Sequence, residues 1–336
     1  MKKLTIGLIQ FKETEDICWQ ALIMLDNQIN FNYDELEVII VNDCSQVLLS
    51  DEFLNSFRNI KPIYIKRDKN GGPGLSRQTV IDNANGEYIT FIDIDDSWCN
   101  SCVLSFFDTV IYPEKMDIIQ TPFFASAQHP QTKQWLYSVT PPNLTWMFGI
   151  FWRRQFLLDN KIRHSEELRV HEDSYFIRTA VAYTDKIKQY EFMFYLWTQR
   201  NDSITRNNDM AYAYNSYATY IRAVDLVCEN LQIRRPQKLM ETVIQQIIYS
   251  YFVMSNPEWD KEGAKKYIPQ TEKMLSFFYN RWKVFWDNAD ESIKQLYFKQ
   301  TFNNAAHRFP KESFCNWFER IKNINQTTIP SYTQPI

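Results

Sequence analysis

The sequence predicts an α/β fold: a mostly parallel sheet flanked by helices, followed by a C-terminal helical region. Three observations predict it. Short β-branched runs alternate with helix-length segments through the first hundred residues, the pattern of parallel strands joined by crossover helices. Acidic residues gather where two of those runs stop, at Asp43 and at Asp93, Asp95 and Asp96. Beyond residue 207 the pattern becomes long amphipathic stretches rich in aromatic residues.

The elements follow in order. LTIGLI (4–9) is an apolar, β-branched run and the first strand. Residues 14–30 show helical spacing. LEVIIVND (36–43) is a second apolar run that ends in polar residues, and IKPIYIKR (60–67) alternates as a strand does. GLSRQTVIDNANGEY (74–88) reads as a helix ending near Asn85-Gly86, with Gly86 suited to the left-handed position after a helix. YITFIDIDD (88–96) is a further strand with its carboxylates at the C-terminal end. In such sheets ligands bind outside the carboxyl ends of the strands, where Asp43 and the 93–96 cluster fall.

Composition narrows the class. The chain has 336 residues, 45% of them hydrophobic, enough for one large domain or two. Its net charge of −3 is not that of a protein built to coat nucleic acid or an anionic membrane. The N-terminal apolar run stops at Gln10 and Lys12, too short for a signal peptide. No window approaches 18 uninterrupted apolar residues, so no transmembrane helix is expected. The six cysteines are scattered, and the pair Cys99-x-x-Cys102 has no second pair to complete a zinc site. Reduced thiols in a cytoplasmic protein are the expectation.

FIDIDD (91–96) places three carboxylates within six positions. Two readings of it are open. A divalent cation would neutralise the cluster: Mg²⁺ and Mn²⁺ take oxygen ligands, often only one or two from protein and the rest from phosphate and water. A solvated turn, with Asp96-Ser97 capping a helix that begins near Trp98, needs no ligand.

Taken together the motifs resemble a known family. VIIVNDCS, then NGGPGLSRQTVIDNANGEYITFIDIDDSW, then WMFGIFWRRQFLLDNKIRHSEELRVHEDSYFIRTA (146–180), then LWTQRNDSITR (196–206) keep the order and rough spacing of the family-2 glycosyltransferases with the GT-A fold. That resemblance spans residues 4–206. It implies a Rossmann-like nucleotide-diphospho-sugar transferase domain over 1–206 and a separate helical domain over 207–336. It implies a metal-dependent, inverting, hexosyltransferase-type enzyme that takes sugar from a nucleotide-diphosphate donor, most often UDP-linked.

The resemblance also implies residue roles. Asp43 would recognise the base, and Gly72, with Gly71, would let the backbone turn closely beneath the ligand. Arg77 would reach the nucleotide; a guanidinium pairs well with a diphosphate. Asp93 would contact ribose or sugar and share with Asp95 the binding of Mn²⁺ or Mg²⁺. Asp173 would be the catalytic base, taking the acceptor hydroxyl's proton, with Glu172 positioning it. Arg200 and Ser203 would hold the diphosphate. His171 reads as a loop histidine, with a metal ligand as the alternative.

This sequence departs from the family pattern at several points. GLIQFKET replaces the usual end of the first strand, Gln78 follows Arg77 where asparagine is usual, and His164 stands where the family carries phenylalanine. The acceptor implied by family frequency is a surface polysaccharide or teichoic acid. A protein, a lipid-linked sugar and a modified DNA base are further acceptors to weigh, although the charge does not point to nucleic acid. Two other classes share the fold pattern: a nucleotidyltransferase, which would carry a glycine-rich loop after the first strand, and a catalytically silent binding module. Past residue 207, FFYNRWKVFW (277–286) interleaves aromatics with Arg281 and Lys283. Such a mixture could stack bases or sit at a membrane interface; at helical spacing core plus a solvated face is the expectation.

Overall fold

The computed structural model describes residues 2–129, 131–142, 146–198, 211–305, 310 and 312–334. Contacts divide the chain into two units, Met1–Arg200 and Asn201–Ile336.

In the first unit, β1 (Leu4–Gln10), α1 (Glu15–Asp26), β2 (Leu36–Asn42), α2 (Asp51–Asn55), β3 (Ile63–Lys66), α3 (Gly72–Asn83) and β4 (Tyr88–Asp93) follow the expected alternation. Next come β5 (Ser97–Trp98), α4 (Val103–Phe106), a wide helical turn over Phe107–Ile111, and α5 (Tyr112–Glu114). The unit is completed by β6 (Ile118–Gln120), β7 (Phe123–Gln128), β8 (Trp135–Thr140), β9 (Ile150–Arg153), α6 (Arg154–Asp159), α7 (Glu172–Tyr183), β10 (Ile187–Gln189) and β11 (Tyr195–Thr198).

The main sheet has the order β10-β6-β9-β4-β1-β2-β3, and β9 alone runs against the rest. The chain leaves β1 toward β2 and β3, then returns to place β4 on β1's other side. The crevice at that reversal is where such sheets bind ligands. Register brings Ile9 opposite Asp93 and Gln10 opposite Asn42, so the polar strand ends share one rim.

Alternation along the strands sends residues to two cores. Val38 and Ile40 join Leu4, Ile6, Leu8 and the α1 residues Cys18, Leu22 and Leu25 on one face. Ile39 and Val41 join Val80 and Ile81 of α3 and Phe176, Ile177 and Ala180 of α7 on the other. With both faces covered, β2 is buried along its whole length, which explains its unbroken apolar run. The same burial packs α3 and α7 side by side. A second sheet, β5-β11-β7-β8, adjoins the end of β4 through β5.

Three local expectations are corrected. The helix of 74–88 instead spans Gly72–Asn83, and Ala84 ends it in extended conformation. Gly86 is not its left-handed cap; it packs against β1, where a Cβ would lie 2.4 Å from the Thr5 nitrogen. The strand of 88–96 stops at Asp93, and the Asp96 N–H closes a turn onto the Asp93 carbonyl at 2.8 Å. No helix begins near Trp98, which lies in β5.

The second unit contains α8 (Ala211–Asn215), α9 (Tyr217–Arg234), α10 (Pro236–Met254), α11 (Glu262–Lys265), α12 (Ile268–Asp287), α13 (Glu291–Asn304) and α14 (Phe314–Ile324). Helix α12 packs on α9, α10 and α14. Phe277, Phe278, Trp282 and Trp286 turn into the core while Val284 is 59% exposed, so the aromatic stretch is core plus a solvated face. Asp225, fully buried, accepts from Trp282 Nε1 at 2.6 Å and pairs with Arg222 and Arg281.

Candidate active site

The site forms where the N-terminal turns of α3 and α7 meet the end of β4. Gly74 permits that meeting. A Cβ there would stand 2.7 Å from Glu172 Cγ and 3.2 Å from His164 Nδ1, closer than packed atoms approach. Gly72, at φ +80°, supplies the left-handed turn that starts α3.

Arg77 points from α3 into the junction and is buried. Its Nη2 donates to Asp93 Oδ1 at 2.8 Å and its Nη1 to Glu172 Oε1 at 3.2 Å. Its Nε is buried without a partner among the described residues. Burial works against the positive charge, but Asp93, Glu172 and Asp173 outweigh it and hold the guanidinium cationic. The Glu172 carboxyl is pushed up to about 8, by burial first and by Asp173 second, against the pull of Arg77. Burial also raises Asp173, which Arg77 and the Ser174 N–H oppose; that N–H donates to Asp173 Oδ1 at 2.6 Å. Three carboxyls share one guanidinium, so the Glu172–Asp173 pair retains a proton near neutral pH.

The other acidic residues differ in use. Asp96 is 3% exposed. Its Oδ2 accepts from the Tyr195 hydroxyl at 2.7 Å and its Oδ1 from the Thr198 N–H at 2.8 Å, which ties β11 to the end of β4. The Asp93 N–H donates in turn to the Tyr195 oxygen at 3.1 Å. Burial, then the charges of Asp93 and Asp95, push the Asp96 carboxyl well up. Asp93, with a third of its side chain exposed, and the half-buried Asp95 flank this latch.

Asp43 is buried below the turn that precedes α3. Its Oδ1 accepts from Arg67 Nη1 at 2.6 Å and from the Gly71 N–H at 3.0 Å; its Oδ2 accepts from the Gly72 N–H at 2.7 Å. His171 precedes α7 in left-handed conformation, φ 59°. Arg200 and Ser203 lie outside the described residues. The structure thus brings Arg77, Asp93, Glu172 and Asp173 into one cluster, and joins Asp43 to Gly72 in a second group at the start of the same helix.

The model of the family described as "Glycosyl transferase family 2" matches residues 14–181, half of the chain. This chain belongs to glycosyl transferase family 2. Among curated relatives, it is 24% identical over 238 residues to the poly(ribitol-phosphate) beta-N-acetylglucosaminyltransferase TarS of Staphylococcus aureus, covering 67% of this chain and 40% of that protein. It is 27% identical over 113 residues to the succinoglycan biosynthesis protein ExoW of Rhizobium meliloti, 33% of this chain and 34% of that protein. The chain therefore spans well under half the length of these relatives. A crystal structure of S. aureus TarS superposes with TM-score 0.64 at 18% identity, covering 97% of this chain and 54% of that one. A structure of TarS 1–349 in complex with UDP-GlcNAc superposes with TM-score 0.56 at 18% identity, covering 93% and 95%. The GT-A fold is shared.

As a family-2 glycosyltransferase the chain is suited to a hard cation in one respect: Asp93 and Asp95 present two carboxylates at the strand rim. Among the described residues no group of three or more His, Cys, Asp or Glu side chains could hold a metal. Two protein ligands suffice when phosphate and water complete the shell. No described helix is long and apolar enough to cross a membrane.

Sequence reasoning missed Arg67, Gly74 and Tyr195 as parts of this glycosyltransferase's site. Gly74 was visible as the third glycine of NGGPG. Nothing local marks Tyr195, which meets Asp96 across 99 residues.

Proposed function

We propose that this glycosyltransferase is a metal-dependent, inverting enzyme that moves a hexosyl group from a UDP-sugar to an acceptor hydroxyl. The observation that supports the reading is the Arg77 bridge: one cation linking Asp93, at the strand rim, to Glu172, at the start of α7.

In this reading the acceptor oxygen attacks the anomeric carbon as its proton passes to Asp173. The bond from that carbon to the diphosphate oxygen breaks, and UDP leaves with the electron pair. Glu172 keeps the shared proton, which leaves Asp173 the ionised partner. Arg77 supplies positive charge beside the diphosphate, and Arg200 and Ser203 add contacts to it. Asp93 and Asp95 would hold Mn²⁺ or Mg²⁺, which when bound neutralises charge developing on the leaving group. Asp43 shapes the turn at Gly72 and meets the base.

A UDP donor is supported by the likeness to TarS, whose fold was crystallised with UDP-GlcNAc. The name of that relative supports a poly(ribitol-phosphate)-type acceptor. In this reading residues 1–206 are the transferase domain and 207–336 a separate helical domain. The free cysteines suit a cytoplasmic place of action.

The test is nucleotide release from a panel of nucleotide sugars, with and without Mn²⁺, in wild type and Asp173→Asn. Transfer should vanish in the variant while UDP-sugar binding stays nearly intact. Equal loss of both would argue against the base role. No release from any sugar, with no metal-linked thermal shift on adding UDP, would favour a silent binding module.

A further inference from the structure

His164 lies close to the stem of Glu172, and the mechanism above does not use it. The residue is 5% exposed. Its imidazole lies flat on Phe176, with ring centroids 4.3 Å apart and planes 8° apart. Phe176 follows Glu172 by one turn of α7. From the other side the ring and the Glu172 stem converge on the same point: a Cβ at Gly74 would meet His164 Nδ1 at 3.2 Å and Glu172 Cγ at 2.7 Å. The His164 main-chain N–H donates to Gln78 Oε1 at 2.9 Å, which pins the segment to α3 next to Arg77.

Among the described residues neither ring nitrogen has a well-formed hydrogen-bond partner, although the Glu172 main chain favours an N–H on one of them. A neutral imidazole carries one N–H and one lone pair, and leaving a buried polar atom unmet costs about 1–3 kcal/mol. Phenylalanine would fill the same slot, with the same stacking, at none of that cost. The imidazole is held neutral, by burial first and by Arg77 second, with the Glu172 main chain acting the other way. With one ring nitrogen favoured as an N–H toward the Glu172 main chain, the other presents its lone pair beside a carboxyl that keeps its proton.

We propose that His164 is a positioning residue for Glu172: its ring lone pair receives the Glu172 O–H when Arg77 turns from Glu172 toward a bound diphosphate. No proton leaves Glu172 in this exchange; one hydrogen bond replaces another. Glu172 stays protonated and fixed, so the negative charge of the pair stays on Asp173. The inference rests on the transferase reading of the site.

Two measurements on the full chain test it. The first is the ring ¹⁵N spectrum, in which His164 is identified by its loss in His164→Phe and is one of four histidines. Adding UDP and Mg²⁺ should move the signal of one His164 nitrogen to that of a hydrogen-bonded acceptor. The second is turnover of the best donor in wild type, His164→Phe and His164→Gln. His164→Phe should keep its fold and its KM for donor while kcat falls roughly tenfold, short of the ~100-fold that a full misplacement costs. His164→Gln, which restores an acceptor, should recover most of the loss. A ring spectrum indifferent to bound UDP, or a His164→Phe enzyme turning over at the wild-type rate, overturns the inference and leaves the transferase reading intact. A wild-type chain that neither binds UDP nor releases it from any sugar overturns both.

Discussion

Arg77 donates to Glu172 across 95 residues of sequence, Nη1 to Oε1 at 3.2 Å, and so locks α3 to α7. The same guanidinium holds Asp93. Arg77→Met should therefore strand buried carboxyls without a counter-charge and lower unfolding free energy by about 3–5 kcal/mol. Urea unfolding followed by tryptophan fluorescence reads this. Wild-type stability in the variant would mean that the bridge is dispensable to the fold.

Stability should also depend on pH through Glu172. Its folded carboxyl is raised to about 8 from the ordinary 4.5, so between those values the folded state binds more protons than the unfolded. Stability from this group is complete below about pH 4.5 and is lost as pH rises through 8. Glu172→Gln should flatten the profile and raise the melting temperature at pH 8 by about 2 °C or more. A variant with an unchanged slope from pH 5 to 8 would place the titration elsewhere.

Asp95 and Asp96 should separate cleanly. Asp95→Asn should raise the Mn²⁺ concentration needed for UDP-dependent thermal stabilisation by about 10- to 100-fold, with the fold unchanged in the absence of nucleotide. Asp96→Ala, in contrast, should lower stability without nucleotide, because Tyr195 and Thr198 lose their shared acceptor. The opposite pattern would exchange the two assignments.

Tyr195→Phe removes the hydroxyl that receives the Asp93 N–H and donates to Asp96. Two buried polar groups lose a partner, at a cost of about 1–3 kcal/mol. Faster amide exchange at Asp93 and Thr198 would locate the loss at the latch, and unaltered exchange there would count against it.

Gly74→Ala drives a methyl group into the Glu172 stem. Separating α3 from α7 should cost about 1–3 kcal/mol and reduce turnover more than donor binding. A variant with wild-type kinetics would show that the helices yield without disturbing the pair.

The sequence by itself determined the alternation of β1, α1, β2, β3, α3 and β4, because strands buried on both faces must be apolar throughout and the helices between them must be amphipathic. It also determined the carboxylates at the sheet rim, through motifs whose order and spacing are specific in combination. The family resemblance set Asp93 and Asp95 apart from Asp96, but the stretch itself holds no physical reason for the difference, since three aspartates in six positions look alike until burial distinguishes them. Asp96 became a structural latch because Tyr195 and Thr198 arrive from 99 and 102 residues away. Likewise, only the tertiary structure joined Arg77 to Glu172 and set His164 close to its stem. Those contacts depend on how closely two helices approach over a single glycine, and packing distance between elements remote in sequence has no local periodicity to announce it.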